Sequence, residues 1–202
     1  MSTGPLVVGV ILAAGASRRL GRPKQLVELG GEPLLRQTIR AAMSSKVSTW
    51  LLVLGAAQEE IIAAVGEMPL GVVLNPRYEE GQSTSVITAI DALPSACEAV
   101  VFLLGDQPMV SAEVIDRLVD EFERTQALIV QPTYSGVPGN PVLVSMALAD
   151  EMRLLTGDEG ARPLIKRHAA DVLRIEVGGE VPLDVDTEDD VTRLREAWAA
   201  RK

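Results

Sequence analysis

Apolar runs and amphipathic stretches alternate along the whole chain. Leu6 to Leu12 is a continuous apolar run rich in Val and Ile, the pattern of a strand buried on both faces. Pro33 to Met43 switches to helical spacing, with Leu34, Leu35, Ile39 and Ala42 on one side. The alternation continues with strands at Trp50 to Leu54 and Val72 to Leu74 and helices at Gln58 to Val65 and Ser83 to Leu93. Ala99 to Leu104 is a further strong strand, and Ser111 to Arg124 a helix with Ser111 as N-cap and Glu113 in its first turn. After a strand at Ala127 to Val130 comes a segment dense in turn residues, Pro132 to Pro141, with a short strand at Pro141 to Val144. Shorter helices at Met146 to Leu155 and Ala161 to His168, a strand at Val172 to Val177 and a helix at Thr187 to Arg201 complete the chain. That last helix opens with Thr187 and Asp190 in capping-box spacing.

Strands alternating with helices imply βαβ units. The expected fold is therefore α/β, Rossmann-like, a mostly parallel twisted sheet with helices on both faces. The turn-rich segment adds a small antiparallel excursion. No repeat, low-complexity tract or long linker divides the chain, so residues 1–202 are expected to form one domain. In such sheets ligands bind at the carboxyl ends of the strands.

Composition narrows the function. A length of 202 residues, 47% hydrophobic, suffices for a sizeable core. No apolar run reaches the ~18 residues needed to span a bilayer, and Met1 to Pro5 lacks the basic segment of a secretion signal, so a cytoplasmic protein with no membrane partner is expected. One cysteine, Cys97, excludes an internal disulfide, and with one histidine, His168, it excludes a Cys/His zinc site. A net charge of −9 argues against nucleic acid as a partner. Against that acidic background, Met1 to Val27 holds no acid at all but carries Arg18, Arg19, Arg22 and Lys24.

Those cations lie in the loop after the first strand, Leu12-Ala13-Ala14-Gly15-Ala16-Ser17-Arg18-Arg19-Leu20-Gly21-Arg22-Pro23-Lys24. Its spacing fits neither G-x-x-x-x-G-K-[ST] nor G-x-G-x-x-G. It reads as a third kind of phosphate loop, whose glycines admit a ligand, whose N–H groups bond phosphate oxygens and whose Arg and Lys neutralise them; without a ligand it would be an ordinary basic turn. Asp106, in Gly105-Asp106-Gln107-Pro108, follows a buried strand, where a carboxylate can hold Mg²⁺ or simply shape a turn. Asp184 to Asp190 contains five acids, which favour a helix N-terminus in any case. Only Asp184 and Asp186 precede the cap and could turn inward to face Asp106. Gly81-Gln82-Ser83-Thr84-Ser85 and Gly157 to Arg162 are glycine-bearing polar turns before helices, compatible with capping or with binding.

Together these segments resemble the molybdenum cofactor nucleotidyltransferase family, more closely its cytidylyltransferase branch. The loop is similar to L-A-A-G-x-S-x-R-[ML]-G-x-x-K at Leu12 to Gly15, Ser17, Arg19, Gly21 and Lys24, with Leu20 where Met is common. Gln82, Ser83 and Ser85 resemble G-Q-S-x-S, Asp106 to Pro108 the D-Q-P motif, Gly136 to Pro141 a G-x-P-G-x-P turn, Gly157 to Arg162 G-D-x-G-A-R, and Asp186-Thr187 a late D-T. The resemblance implies in-line attack of a molybdopterin-type acceptor phosphate on the α-phosphorus of CTP, dependent on Mg²⁺. Arg19, Lys24 and Asp106 would be catalytic; Leu12, Ala13, Ala14, Gly15, Ser17, Gln82 and Ser83 would join them in binding the nucleotide; Asp106 and Asp186 would hold the metal. Ala14, where the guanylyl branch has Gly, favours CTP. A molybdoenzyme or its chaperone is the implied protein partner. The alternatives are a cytidylyltransferase for a sugar, polyol or isoprenoid phosphate, a guanylyltransferase of the same cofactor, and a nucleotide-binding assembly factor that has lost catalysis.

Overall fold

The computed structural model describes residues 4–201, so the reading of the N-terminus rests partly on residues 1–3, which lie outside them. A single large sheet organises the chain. Strand β1 (Val7–Leu12) is central and pairs in parallel with β4 (Thr49–Leu54) on one side and β6 (Ala99–Leu104) on the other. Beyond β4 lies the parallel edge strand β5 (Gly71–Leu74). Beyond β6 comes β9 (Val142–Ser145), antiparallel, then β7 (Ile129–Tyr134) and β10 (Val172–Glu176), which are parallel to each other. The spatial order is β10-β7-β9-β6-β1-β4-β5, with β8 (Val137–Pro138) paired to the outer half of β7. The expected α/β architecture, with its antiparallel excursion, is the one observed.

Helices cover both faces because alternate strand residues point to opposite sides. On one face, Ile11, Leu52, Val101 and Leu103 pack against α1 (Leu34–Met43), α2 (Gln58–Val65) and α4 (Ala112–Thr125). On the other, Val10, Val53, Val100 and Phe102 pack against α3 (Gln82–Ala92), α5 (Ala149–Arg153) and α6 (Arg162–Arg167). Helix α4 shows the local logic. Ser111 caps it through the Val114 N–H, and Ile115, Leu118, Val119 and Phe122 recur at helical spacing and are all buried. Each such side chain contributes about 1.5–3 kcal/mol on leaving water.

Two local expectations need correction. The strand expected at Ala127 to Val130 continues to Tyr134, straight through Pro132, with every residue buried. The Thr133 carbonyl faces β10, accepting the Val177 N–H, so Pro132 faces the other way, where its carbonyl accepts from Gly139. The last β7–β9 pair is Val130 with Leu143, so the N–H that proline lacks is missed by no ladder. The helix expected over Met146 to Leu155 is a 3₁₀ turn, Met146–Leu148, leading into the short α5. A small hairpin, β2 (Glu28–Leu29) and β3 (Glu32–Pro33), was not anticipated at all.

The final helix, α7 (Glu188–Ala199), starts on a complete capping box: Thr187 Oγ1 accepts the Asp190 N–H, and the Asp190 carboxylate accepts the Thr187 N–H. Asp190 also accepts from the Asp186 N–H. The Thr187 hydroxyl, which donates to the same carboxylate at 2.7 Å, contributes most to holding the Asp190 pKa down at about 2, with Arg193 and the two backbone N–H groups adding to it. Thr187→Ala is expected to lower unfolding stability by about 1 kcal/mol, checked by urea denaturation; an unchanged midpoint would show that the cap is dispensable.

Candidate active site

Strands β1 and β6 leave the sheet side by side, and their exits are tied together. The Gly105 N–H donates to the Leu12 carbonyl at 2.9 Å, and Thr38 of α1 donates to the Gly105 carbonyl at 3.1 Å. A Cβ at Gly105 would lie 2.8 Å from the Ala13 Cβ and 3.1 Å from the Leu12 oxygen, so only glycine permits this approach. The two loops that follow, with segments from elsewhere in the chain, wall a cleft of about 300 Å³.

The first loop is folded by its own polar groups. Ser17 sits at φ 52°, its Oγ accepts the Lys24 N–H at 3.0 Å, and its carbonyl accepts from Leu20 and Gly21. Gln25, almost wholly buried, donates to the carbonyls of Ala13 (2.7 Å) and Gly15 (3.2 Å). Among the described residues, the N–H groups of Ala14, Gly15 and Ala16 donate to no protein acceptor. The carbonyls are thus tied back while adjacent donors are left for a ligand.

The loop's cations meet Asp106 and the acids around the start of α7. Lys24 Nζ lies 2.5 Å from Asp106 Oδ2 and 3.3 Å from Asp186 Oδ1. Arg19 donates to Asp186 Oδ2 at 2.6 Å, and Arg22 makes a forked contact with Glu188. The Val185 N–H donates to Asp106 at 3.4 Å, and Gln107 Nε2 donates to Asp184 Oδ1 at 2.6 Å. Burial by itself would lower the Lys24 pKa, but the charge and hydrogen bond of Asp106, reinforced by Asp186, hold it above 10.5. A cation with a raised folded pKa contributes its stabilisation in full below its unfolded value and loses it only above, so these pairs are intact throughout the neutral range. Asp184 is exposed overall, yet its carboxyl end is partly buried; that burial first, and the Asp106 charge second, push its pKa up.

The cleft brings together Leu12, Ala13, Ala14 and Gly15 with Arg19, Lys24, Gln82, Asp106 and Asp186. It does not include Ser17 or Ser83. Ser17 is spent on folding the loop, and Ser83 is buried with its N–H on the Gly157 carbonyl. Asp184, Gln25, Ser85, Asp158 and Arg162 also line the cleft. Arg162 lies in a turn singled out from the sequence, whereas Gln25 carries no signal beyond its place after Lys24.

Asp106 and Asp186 both contact the Lys24 ammonium, at 2.5 and 3.3 Å, which places the two carboxylates side by side; a single divalent cation with bonds of about 2.1 Å could bridge them after a small side-chain adjustment. Among the described residues no group of three or more His, Cys, Asp or Glu is placed to hold a metal. A pair of carboxylates, completed by phosphate oxygens and water, is the donor set that suits a hard ion such as Mg²⁺. A broader depression of about 800 Å³ adjoins the cleft at Tyr78. It carries Glu59, Glu60, Leu74 and Asn75 but no basic residue, so it offers nothing to a triphosphate. Among the described residues no helix is long and apolar enough to cross a membrane.

The family model of the MobA-like NTP transferase domain matches residues 9–172. The purine catabolism protein PucB of Bacillus subtilis is 29% identical, over 96% of this chain and 98% of its own. Nicotine blue oxidoreductase of Paenarthrobacter nicotinovorans is 28% identical, over 94% and 97%. The molybdenum cofactor cytidylyltransferase of Escherichia coli is 26% identical, over 94% and 95%. Among solved structures, a manganese complex of Rv0371C from Mycobacterium tuberculosis superposes with a TM-score of 0.85 at 31% identity, covering 95% of this chain and 99% of that one.

Proposed function

We propose that this chain, which belongs to the MobA-like NTP transferase family, moves CMP from CTP to the terminal phosphate of a molybdopterin-type acceptor and releases pyrophosphate. The observation that carries the reading is the convergence of Lys24, Asp106 and Asp186 beside a loop with unspent N–H donors. Those donors would seat the nucleotide. Arg19 and Lys24 would neutralise the α-phosphate and the departing pyrophosphate, and Asp106 with Asp186 would hold a divalent ion; the related Rv0371C structure, a manganese complex, supports a divalent ion in this fold. The ion would supply charge neutralisation between the phosphates. Positioning and electrostatics carry such transfers, since the acceptor brings its own nucleophile.

The choice of cytosine rests on Ala14 and on the resemblance to the E. coli cytidylyltransferase. The test is pyrophosphate release from each of the four NTPs, with and without molybdopterin. CTP with molybdopterin is expected to give the highest kcat/KM. Equal values for CTP and GTP would overturn the base assignment, and turnover with a sugar, polyol or isoprenoid phosphate in place of molybdopterin would reassign the acceptor. Pyrophosphate release also separates transfer from the redox chemistry named in the Paenarthrobacter relative.

A further inference from the structure

We propose that Arg162 binds the phosphate of the acceptor, a phosphomonoester, on the wall of the cleft opposite the loop that receives the triphosphate. The inference rests on the nucleotidyl-transfer reading above and assigns a residue that reading leaves without a role.

The cleft carries cations on two sides, supported from opposite faces of the sheet, and on the second side Asp158, which accepts the Gln82 N–H, lines it beside Arg162. The loop holding Arg19 and Lys24 continues into Val27, which packs with Leu34 of α1 and with Val185 beside Asp186. Arg162 opens α6, whose Leu164 is buried on the other face with Val86 of α3. The cations of the first wall are engaged: Arg19 with Asp186, Arg22 with Glu188, Lys24 with Asp106. Among the described residues, the Arg162 side chain has neither an ion pair nor a hydrogen bond, although it lines the cleft. An unpaired guanidinium in an acidic protein, facing a cleft, is a site for an anion.

The turn that precedes it is set by close packing. A Cβ at Gly81 would lie 2.4 Å from the Gly157 oxygen, at a φ of +115° that itself favours glycine. The Ser83 N–H donates to the Gly157 carbonyl, and the Gln82 N–H to Asp158 Oδ1, each at 3.1 Å. These contacts latch the turn before α6 onto the start of α3. Arg162 also borders a second, smaller cavity of about 60 Å³ between Phe102, Val142 and Ile165. The guanidinium thus stands at the junction of the two spaces, where it can meet an anion that enters the larger cleft.

The chemistry asks for this placement. An acceptor phosphate oxygen forms its bond to the α-phosphorus as the bond to the bridging oxygen breaks, and pyrophosphate leaves with that electron pair. In-line geometry puts nucleophile and leaving group on opposite sides of the phosphorus. With Arg19 and Lys24 on the leaving side, a free cation across the cleft belongs to the nucleophile.

The test uses the full chain saturated with Mg²⁺ and α,β-methylene-CTP, titrated calorimetrically with phenyl phosphate and, separately, inorganic phosphate. Arg162→Met is expected to weaken phenyl phosphate binding roughly tenfold or more, the scale of a lost charge-assisted hydrogen bond. The affinity for the CTP analogue should stay within about twofold, and Arg162→Lys should restore part of the loss. Wild-type protein that binds phenyl phosphate no better than Arg162→Met overturns the inference, as does a variant that loses the analogue to the same degree. Comparable binding of inorganic and phenyl phosphate supports recognition of the phosphate itself, whereas phenyl phosphate binding that phosphate cannot displace counts against it. If the wild-type protein fails to bind the analogue, the transfer reading falls and this inference falls with it.

Discussion

Lys24→Ala is expected to cost about 2–4 kcal/mol of transition-state stabilisation, a fall in kcat/KM of roughly two to three powers of ten, the scale seen when one preorganised donor is removed from a site of developing charge. The ammonium is held between Asp106 and Asp186, the two groups expected to take the metal. It is thus the counter-charge of both carboxylates. A divalent ion held by Asp106 and Asp186 would weaken their attraction for Lys24 and leave the ammonium to neutralise phosphate oxygens. Removing it should act in two directions. Without nucleotide, the carboxylates lose their resident counter-charge, and Mn²⁺ should bind more tightly to Lys24→Ala than to wild type, because two unrelieved like charges favour a divalent partner. With nucleotide and acceptor, turnover should fall. Activity within twofold of wild type would refute the assigned role, and unchanged Mn²⁺ affinity would refute the exchange of ammonium for metal.

Much of this arrangement is legible in the amino-acid sequence, and the parts that are not have identifiable causes. Asp106 is visible because a carboxylate just past a strongly apolar run must sit at a strand's carboxyl end. The basic loop and the acidic run that opens α7 are each visible, and the structure shows them to be complements: Arg19 and Lys24 meet Asp186, and Arg22 meets Glu188, while Lys24 also meets Asp106. A chain that confines its early charge to cations and gathers acids near its far end gives a hint of that pairing, but no local rule reads it: the helix-dipole explanation accounts equally for Glu188, Asp189 and Asp190, all in the first turn of α7. Gln25 and Asp184 act through contacts with residues 12 and 77 positions away, beyond any local pattern. Strand β7 is mispunctuated by Pro132 because a proline is tolerated wherever its missing N–H faces no ladder, and that depends on the neighbouring strand. The β2–β3 hairpin has only two residues per strand, too few for a periodicity, although Gly30-Gly31 between them is a turn signal.

Asp106→Asn is expected to abolish measurable turnover, a loss of roughly a thousandfold or more, since the carboxylate would anchor the ion whose charge neutralisation supplies several kcal/mol in such transfers. The fold should survive. The substituted side chain keeps an oxygen to accept the Val185 N–H, and Lys24 keeps Asp186 as its partner. The circular-dichroism spectrum and the melting temperature within a few degrees should therefore match wild type. Mn²⁺ binding, read by electron paramagnetic resonance, separates the three acids of the cleft. Asp106→Asn and Asp186→Asn should both weaken it, and the second should also free Arg19, which the Asp186 carboxylate holds at 2.6 Å. Asp184→Asn should matter less. Asp184 spends one oxygen on the Gln107 amide, and an asparagine oxygen can accept the same bond. Burial also raises its pKa, so the site disfavours its charge. In wild type, Mn²⁺ should bind weakly alone and more tightly with CTP, because two carboxylates leave most of an octahedral shell to be filled by phosphate and water. Retained turnover in Asp106→Asn, or Mn²⁺ binding that responds to Asp184→Asn more than to Asp186→Asn, would show that the ion is held elsewhere and would return Asp186 to the ordinary task of an acid before a helix.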